Sequence, residues 1–97
     1  MRVVWTPEAE TDRLEIGDYI ALDSPRAAAR IDALFDAAVL RLADFPQMGR
    51  PGAIAGTREL VPHPSYVIVY EIRDDGIWIV SVHHGARQWP PADDETP

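Results

Sequence analysis

The stretch from Tyr66 to Val82 constrains the fold more than any other part of the chain. Two apolar, β-branched runs, Tyr66–Ile72 and Ile77–Val82, flank Asp74-Asp75-Gly76. Runs this apolar on both faces pair as an antiparallel hairpin inside a sheet rather than at a solvated edge. The second run discharges into His83-His84-Gly85-Ala86-Arg87, with Trp89 two residues on. Two imidazoles, a guanidinium and an indole are thereby brought to one strand end, and function is expected to concentrate there.

If Asp75-Gly76 forms a two-residue type I′ turn, Tyr70 lies opposite Ser81 and Ile72 opposite Ile79. Tyr66, Ile68, Tyr70 and Ile72 then share a face with Ile77, Ile79, Ser81 and His83. The other face carries Val67, Val69, Glu71 and Arg73 with Trp78, Val80, Val82 and His84. A longer turn changes the pairing, because a one-residue slip moves every side chain to the opposite face.

The elements upstream announce themselves by their start signals. Met1–Thr6 is short, β-branched and aromatic, as a strand requires. Thr6-Pro7-Glu8 supplies an N-cap, a proline at the first helical position and an acid in the first turn. Ala9, Ile16, Tyr19 and Ile20 then fall on one helical face, which Arg13 interrupts. Ser24-Pro25 repeats the start signal, and Ala27, Ala28, Ile31, Leu34, Phe35, Ala38, Leu42 and Phe45 recur at three- and four-residue spacing until Pro46 ends the helix. A connection as short as Leu22–Ser24 makes the two helices an antiparallel hairpin. Residues 47–56 are a Gly/Pro connector, and Thr57–Val61 alternates like a strand, closed by Pro62-His63-Pro64-Ser65. The expected fold is α+β, in the order β-α-α-β-β-β, with a helical hairpin on one face of a small, mainly antiparallel sheet. Residues 1–90 form one domain, and 91–97 an acidic, frayed tail.

Composition narrows the function. The 97 residues contain nine arginines, no lysine, 16 acids and no cysteine, for a net charge of −7. Disulfides and thiolate chemistry are excluded. The acidity argues against a protein that grips free nucleic acid mainly by counterion release. No apolar run approaches the ~20 residues that span a bilayer, and the amino terminus lacks the apolar core of a signal peptide, so a cytoplasmic chain with no membrane partner is expected.

Each chemical feature also has a structural reading. His83 and His84 are adjacent and project to opposite faces of a strand, so they cannot chelate one metal together, and no metal or cofactor is expected. Such histidines are commonly packed or half-exposed, yet they also suit general acid–base chemistry near neutral pH. Arg87 can bind a phosphate or carboxylate in bidentate fashion, or tie the strand end to the acidic surface or Glu71. Glu59 and Glu71 read as sheet-surface charges, and Trp89 as a lid over the sheet edge rather than a base-stacking platform. Phosphate-loop, G-x-G-x-x-G, G-x-S-x-G and H-E-x-x-H patterns are missing, and no base is placed by sequence beside Ser65 or Ser81.

Six segments in order resemble the RelE/ParE superfamily of bacterial type II toxins. They are VVWTPEA at Val3–Ala9, IGDYI at Ile16–Ile20, DSPRAA at Asp23–Ala28, FPQMGR at Phe45–Arg50, REL at Arg58–Leu60 and VHHGAR at Val82–Arg87. The resemblance covers roughly residues 1–90. It implies a toxin that arrests growth unless wrapped by a cognate antitoxin, ParD-like or RelB-like, encoded in the same operon. Relatives divide into inhibitors of DNA gyrase and ribosome-dependent mRNA endoribonucleases. The nuclease branch usually carries an arginine after the first tyrosine of the Y-x-x-x-Y strand; this chain has Val67 after Tyr66. That departure and the net acidity favour a ParE-like docking toxin, with plasmid stabilisation and gyrase inhibition as the family's associated roles. Its binding residues are then Arg58, Tyr66, Arg73, His84, Arg87 and Trp89. On the alternative, a metal-independent endoribonuclease acting on mRNA at the ribosome, Arg58, His83, His84 and Arg87 carry the chemistry. A non-toxic adaptor on the same fold is a third reading. The antitoxin is expected in a groove between helical hairpin and sheet, its acids meeting arginines of the toxin.

Overall fold

The computed structural model describes residues 1–85 and residue 89. The elements are β1 (Arg2–Trp5), α1 (Pro7–Ala21), α2 (Pro25–Asp44), β2 (Arg50–Pro51), β3 (Thr57–His63), β4 (Tyr66–Arg73) and β5 (Gly76–His84). They form a five-stranded sheet in the order β1-β5-β4-β3-β2, with the helical hairpin on one face. The α+β order expected from sequence is present, with one addition. The two-residue β2 pairs Arg50 with Glu59 and Pro51 with Arg58 inside the Gly/Pro connector. β1 runs parallel to β5 while all other pairs are antiparallel. A parallel pair needs a crossover, and here the nearest strand after β1 in the sheet is the last in the chain.

Both helix starts follow the sequence signals. The Thr6 hydroxyl accepts from the Ala9 amide (3.2 Å) and donates to the Ile79 carbonyl (2.8 Å), so one oxygen both caps α1 and fastens it to β5. Ser24 caps α2 by accepting from the Ala27 amide at 3.1 Å. The core gathers Ala9, Phe35, Val39 and Leu42 from the helices against Ile68, Tyr70, Ile77, Ile79 and Val82 from the sheet.

The hairpin register differs from the expected one. The turn is built on Asp74-Asp75, with Asp74 at φ 42°, so Arg73 pairs with Gly76, Ile72 with Ile77 and Tyr70 with Ile79. A bulge at Val80 then shifts the ladder, and Val69 meets Ser81, Ile68 meets Val82 and Tyr66 meets His84. An extra residue reverses the facing of everything beyond it. Val82 and His84 therefore lie on the helix side, and Ser81 and His83 on the opposite side.

Four further expectations are corrected. Tyr19 is 77% exposed, because α1 turns Arg13 toward α2 and leaves the tyrosine at the rim. Phe45 is 61% exposed: as the C-cap of α2, with φ −131° and ψ 72°, it leaves the helical course and points away from the core. Leu34 lies on the flank of the α2 stripe and is exposed, and Val39 takes the buried position instead. β3 continues through Pro62 to His63, where a shift between Leu60 and His63 accommodates the proline. The expected tail at 91–97 lies outside the described residues.

Tyr70 fixes the connector. Its hydroxyl accepts from the Gly49 amide (2.9 Å) and donates to the Pro46 carbonyl (2.8 Å). A Cβ on Gly49 would stand 2.7 Å from both the Glu59 carbonyl and the Tyr70 hydroxyl, so only glycine fits there. Tyr70→Phe strands a buried amide and should cost about 1–3 kcal/mol in urea unfolding.

The helices are clamped by Arg13, which bonds the Asp32 carboxylate and reaches Asp36 at 2.8 Å while its guanidinium covers Trp5 at 4.8 Å. Its hydrogen bond holds Asp32 below the usual carboxylate range. The folded state then binds fewer protons than the unfolded state, and stability rises with pH. The gap in unfolding free energy between wild type and Asp32→Asn should be flat above about pH 5 and close as pH falls below about 4.

Candidate functional site

The β5 end is assembled where β1 gives out. β1 pairs with β5 only as far as Trp5 and Ile79, and the Thr6 amide takes the Ile79 carbonyl at 3.0 Å. Beyond that point no strand among the described residues pairs with this edge of β5, and the Val82 amide points out of it. Asp12 of α1 accepts that amide at 3.1 Å, completing the edge with a side chain where no strand among the described residues pairs with it.

Around this edge the aromatic and titratable groups divide by face. The His84 ring meets Tyr66 edge-on at 5.6 Å, and Tyr66 in turn meets Phe35 at 5.8 Å. His83 projects from the other face and stacks on Trp89 with ring centres 6.1 Å apart and planes 4° from parallel. His83 Nδ1 lies 3.0 Å from the His84 carbonyl. A carbonyl only accepts, so Nδ1 carries the hydrogen and Nε2 the lone pair. That Nε2 is buried and has no hydrogen-bond partner among the described residues, in a residue only 7% exposed.

A cleft of about 250 Å³ opens between α1 and this edge, lined by Asp12, Glu15, Ile16, Tyr19, Tyr66, Val82, His83 and His84. Sequence reading missed Asp12, although its signal was present. At three residues after Ala9 and four before Ile16, it is a carboxylate on the inward stripe of α1.

The arginines do not converge on the histidines. Arg58 donates from Nε and Nη2 to the Gly49 carbonyl (3.0 and 2.6 Å) and from Nη2 to the Gln47 carbonyl (3.0 Å), holding the connector beside Tyr70. It pairs across the ladder with Tyr70, four positions along from Tyr66 and its partner His84. That offset is about 13 Å along the strands and, two strands across, about 10 Å sideways. Arg73 bonds Glu71 at 2.7 Å and lies over Trp78 at 4.9 Å, with Arg2 near the same ring at 5.9 Å. Arg87 lies outside the described residues. Of the seven residues proposed from sequence, the structure thus brings His84 and Tyr66 into one contact and His83 and Trp89 into another. Arg58 and Arg73 it puts elsewhere.

A second surface follows α2 and the β3 edge. Three adjoining hollows share their walls: one at Arg30, Ile31, Leu34 and His63, one at Leu34, Ala38, Arg41, Met48, Leu60 and Val61, and one of about 560 Å³ at Arg41, Phe45, Pro46 and Met48. The groove is apolar along its floor and carries Arg30, Arg41 and Asp44 on its rim. By contrast, α1 holds five carboxylates and one arginine, a net of −4.

Comparison with known proteins agrees with this geometry. A family model described as "ParE toxin of type II toxin-antitoxin system, parDE" matches residues 3–89. The toxin candidate Y4kP of Sinorhizobium fredii is 47% identical over 90 residues, 92% of this chain and 93% of that one. The toxin RelE2 of Caulobacter vibrioides is 44% identical over 86 residues, 89% of this chain and 97% of that one. A solved chain of the chromosomal ParDE toxin–antitoxin system from P. aeruginosa superposes with a TM-score of 0.76 at 24% identity, covering 87% of this chain and 95% of that one. It establishes the common fold.

Arg58→Lys keeps the charge but cannot span both loop carbonyls with a planar fork. It should lower stability by about 1–2 kcal/mol in urea unfolding, as expected for lost hydrogen bonds to a charged donor.

Proposed function

The chain belongs to the ParE toxin family of type II toxin–antitoxin systems, and from that premise we propose that it arrests growth by docking on DNA gyrase, without chemistry of its own. The observation that carries this reading is the employment of Arg58. Cleaving RNA through its 2′-hydroxyl needs a base, an acid and cations preorganised around the phosphorane. Arg58 is occupied by two loop carbonyls, and Arg73 by Glu71 and Trp78. Neither stands beside His83 or His84, and Val67 holds the position after Tyr66. Losing one positioned electrostatic stabiliser typically costs ~10²–10³ in rate.

The rival reading, a ribosome-dependent mRNA endoribonuclease, draws on the acid–base groups at the β5 end and on the name of the relative RelE2. Two assays separate them. Inhibition of gyrase supercoiling by purified protein, with transcripts intact after induction, is the expected result. Codon-phased cuts in primer extension, abolished by His84→Ala or Arg87→Ala, would replace docking with catalysis.

A family of toxin–antitoxin modules supports a cognate antitoxin partner. We place its docking segment in the groove along α2 and β3, where Leu34, Phe45 and Met48 are exposed and Arg30 and Arg41 can meet acidic side chains. Because the toxin is acidic as a whole, burial supplies much of the affinity and long-range attraction little. Leu34→Asp should weaken antitoxin binding at least ~10-fold, the scale of a truncated interface anchor, and removal of the antitoxin's carboxy-terminal half should weaken it further. Unchanged affinity in both cases would move the interface elsewhere.

A further inference from the structure

The outward face of α1 and the groove along α2 and β3 complement each other, yet both belong to one chain. We propose that α1 of one copy docks into the α2–β3 groove of the next. Toxin without its antitoxin then associates head to tail and covers the groove assigned above to the antitoxin. The contact depends on the groove's shape and charge and not on that assignment.

α1 carries a second apolar stripe. Its inner side buries Ala9 and packs Ile16 on the core. Leu14, two residues before Ile16, lies about 200° round the helix and is 67% exposed. Leu22, the C-cap of α1, keeps helical dihedrals (φ −58°, ψ −36°) and is 82% exposed. A surface helix ordinarily gives its outer face to polar residues. Here two leucines about 12 Å apart stand on it instead.

The groove repeats at a matching interval. Leu34 is shared by its first and second hollows and Arg41 by its second and third. Those residues are seven apart on α2, or about 10.5 Å. Leu14 and Leu22 can therefore enter neighbouring hollows when α1 lies along α2 of the next copy.

Charge matches as well. Asp18 stands four residues from each leucine, on the same stripe, with Glu15 beside it. Neither carboxylate makes an ion pair among the described residues, and neither do Arg30 and Arg41 on the groove's rim. Asp44 offsets one of those arginines, whereas α1 holds a net −4. Unlike charges across a contact favour docking and fix its direction. Because the two patches differ, the contact is heterologous, and each copy keeps one patch open for a further copy.

The test is sedimentation equilibrium of the full-length protein prepared without antitoxin. Its average mass should rise with concentration between about 1 µM and 1 mM, the range of weak protein contacts. Leu22→Asp on α1 and Leu34→Asp in the groove, both at exposed positions, should each weaken association at least ~10-fold, as loss of an interface anchor does. Mixed one to one, the two variants should form a pair and stop there, since each supplies the surface that the other lacks. That recovery also demonstrates that both are folded. A wild-type protein that stays monomeric at about 1 mM, undiminished association of either variant, or a mixture that stays monomeric while wild type associates would overturn the assignment.

Discussion

The bulge at Val80 sets the character of the molecule. Up to Ile79, β5 is locked between β1 and β4, and its odd-numbered side chains enter the core. One additional residue there transfers Val82 and His84 to the helix side and sends His83 to the reverse. It occurs where β1 ends, so that the strand loses a neighbour and changes facing at the same place. Asp12 then has an amide to accept, α1 is held at the edge, and a cleft opens beside it. Without the bulge, His84 would face away from Tyr66 and His83 would sit beneath the helices.

This explains which features were legible in the sequence. Helix starts were readable because Thr6-Pro7 and Ser24-Pro25 satisfy local requirements, an acceptor for orphan amides and a fixed φ. The hairpin was readable from its two apolar runs. Its register was not, because Ile77 to Val82 is apolar on both faces and no break in alternation marks an inserted residue. The turn was misplaced for a related reason: Gly76 favours a positive φ, but Asp74 adopts it instead, as a short polar side chain can. Exposure of Tyr19 and Phe45 depended on non-local facts, the reach of Arg13 to α2 and the departure of the chain after Asp44.

The arginines show how composition can mislead about function. Counted by position, Arg58 falls where a nuclease keeps a cation. Its donors, however, meet carbonyls of the connector that Tyr70 and Gly49 also hold. Three of the five N–H donors of Arg58 are taken by those two carbonyls, so a phosphate would meet a guanidinium already fixed to the connector.

Charge is divided between surfaces rather than spread evenly. Arg30 and Arg41, with Asp44 between them and the connector, rim an apolar groove on the α2–β3 side, while five acids with one inward-turned arginine occupy α1. At physiological salt, fields decay over about 8 Å, so each surface presents its own sign to an approaching partner despite the net −7. The division also gives a physical reason for the all-arginine composition at the groove. Planar, weakly hydrated guanidinium groups pair with carboxylates while lying flat on apolar surface, which lysine does less well.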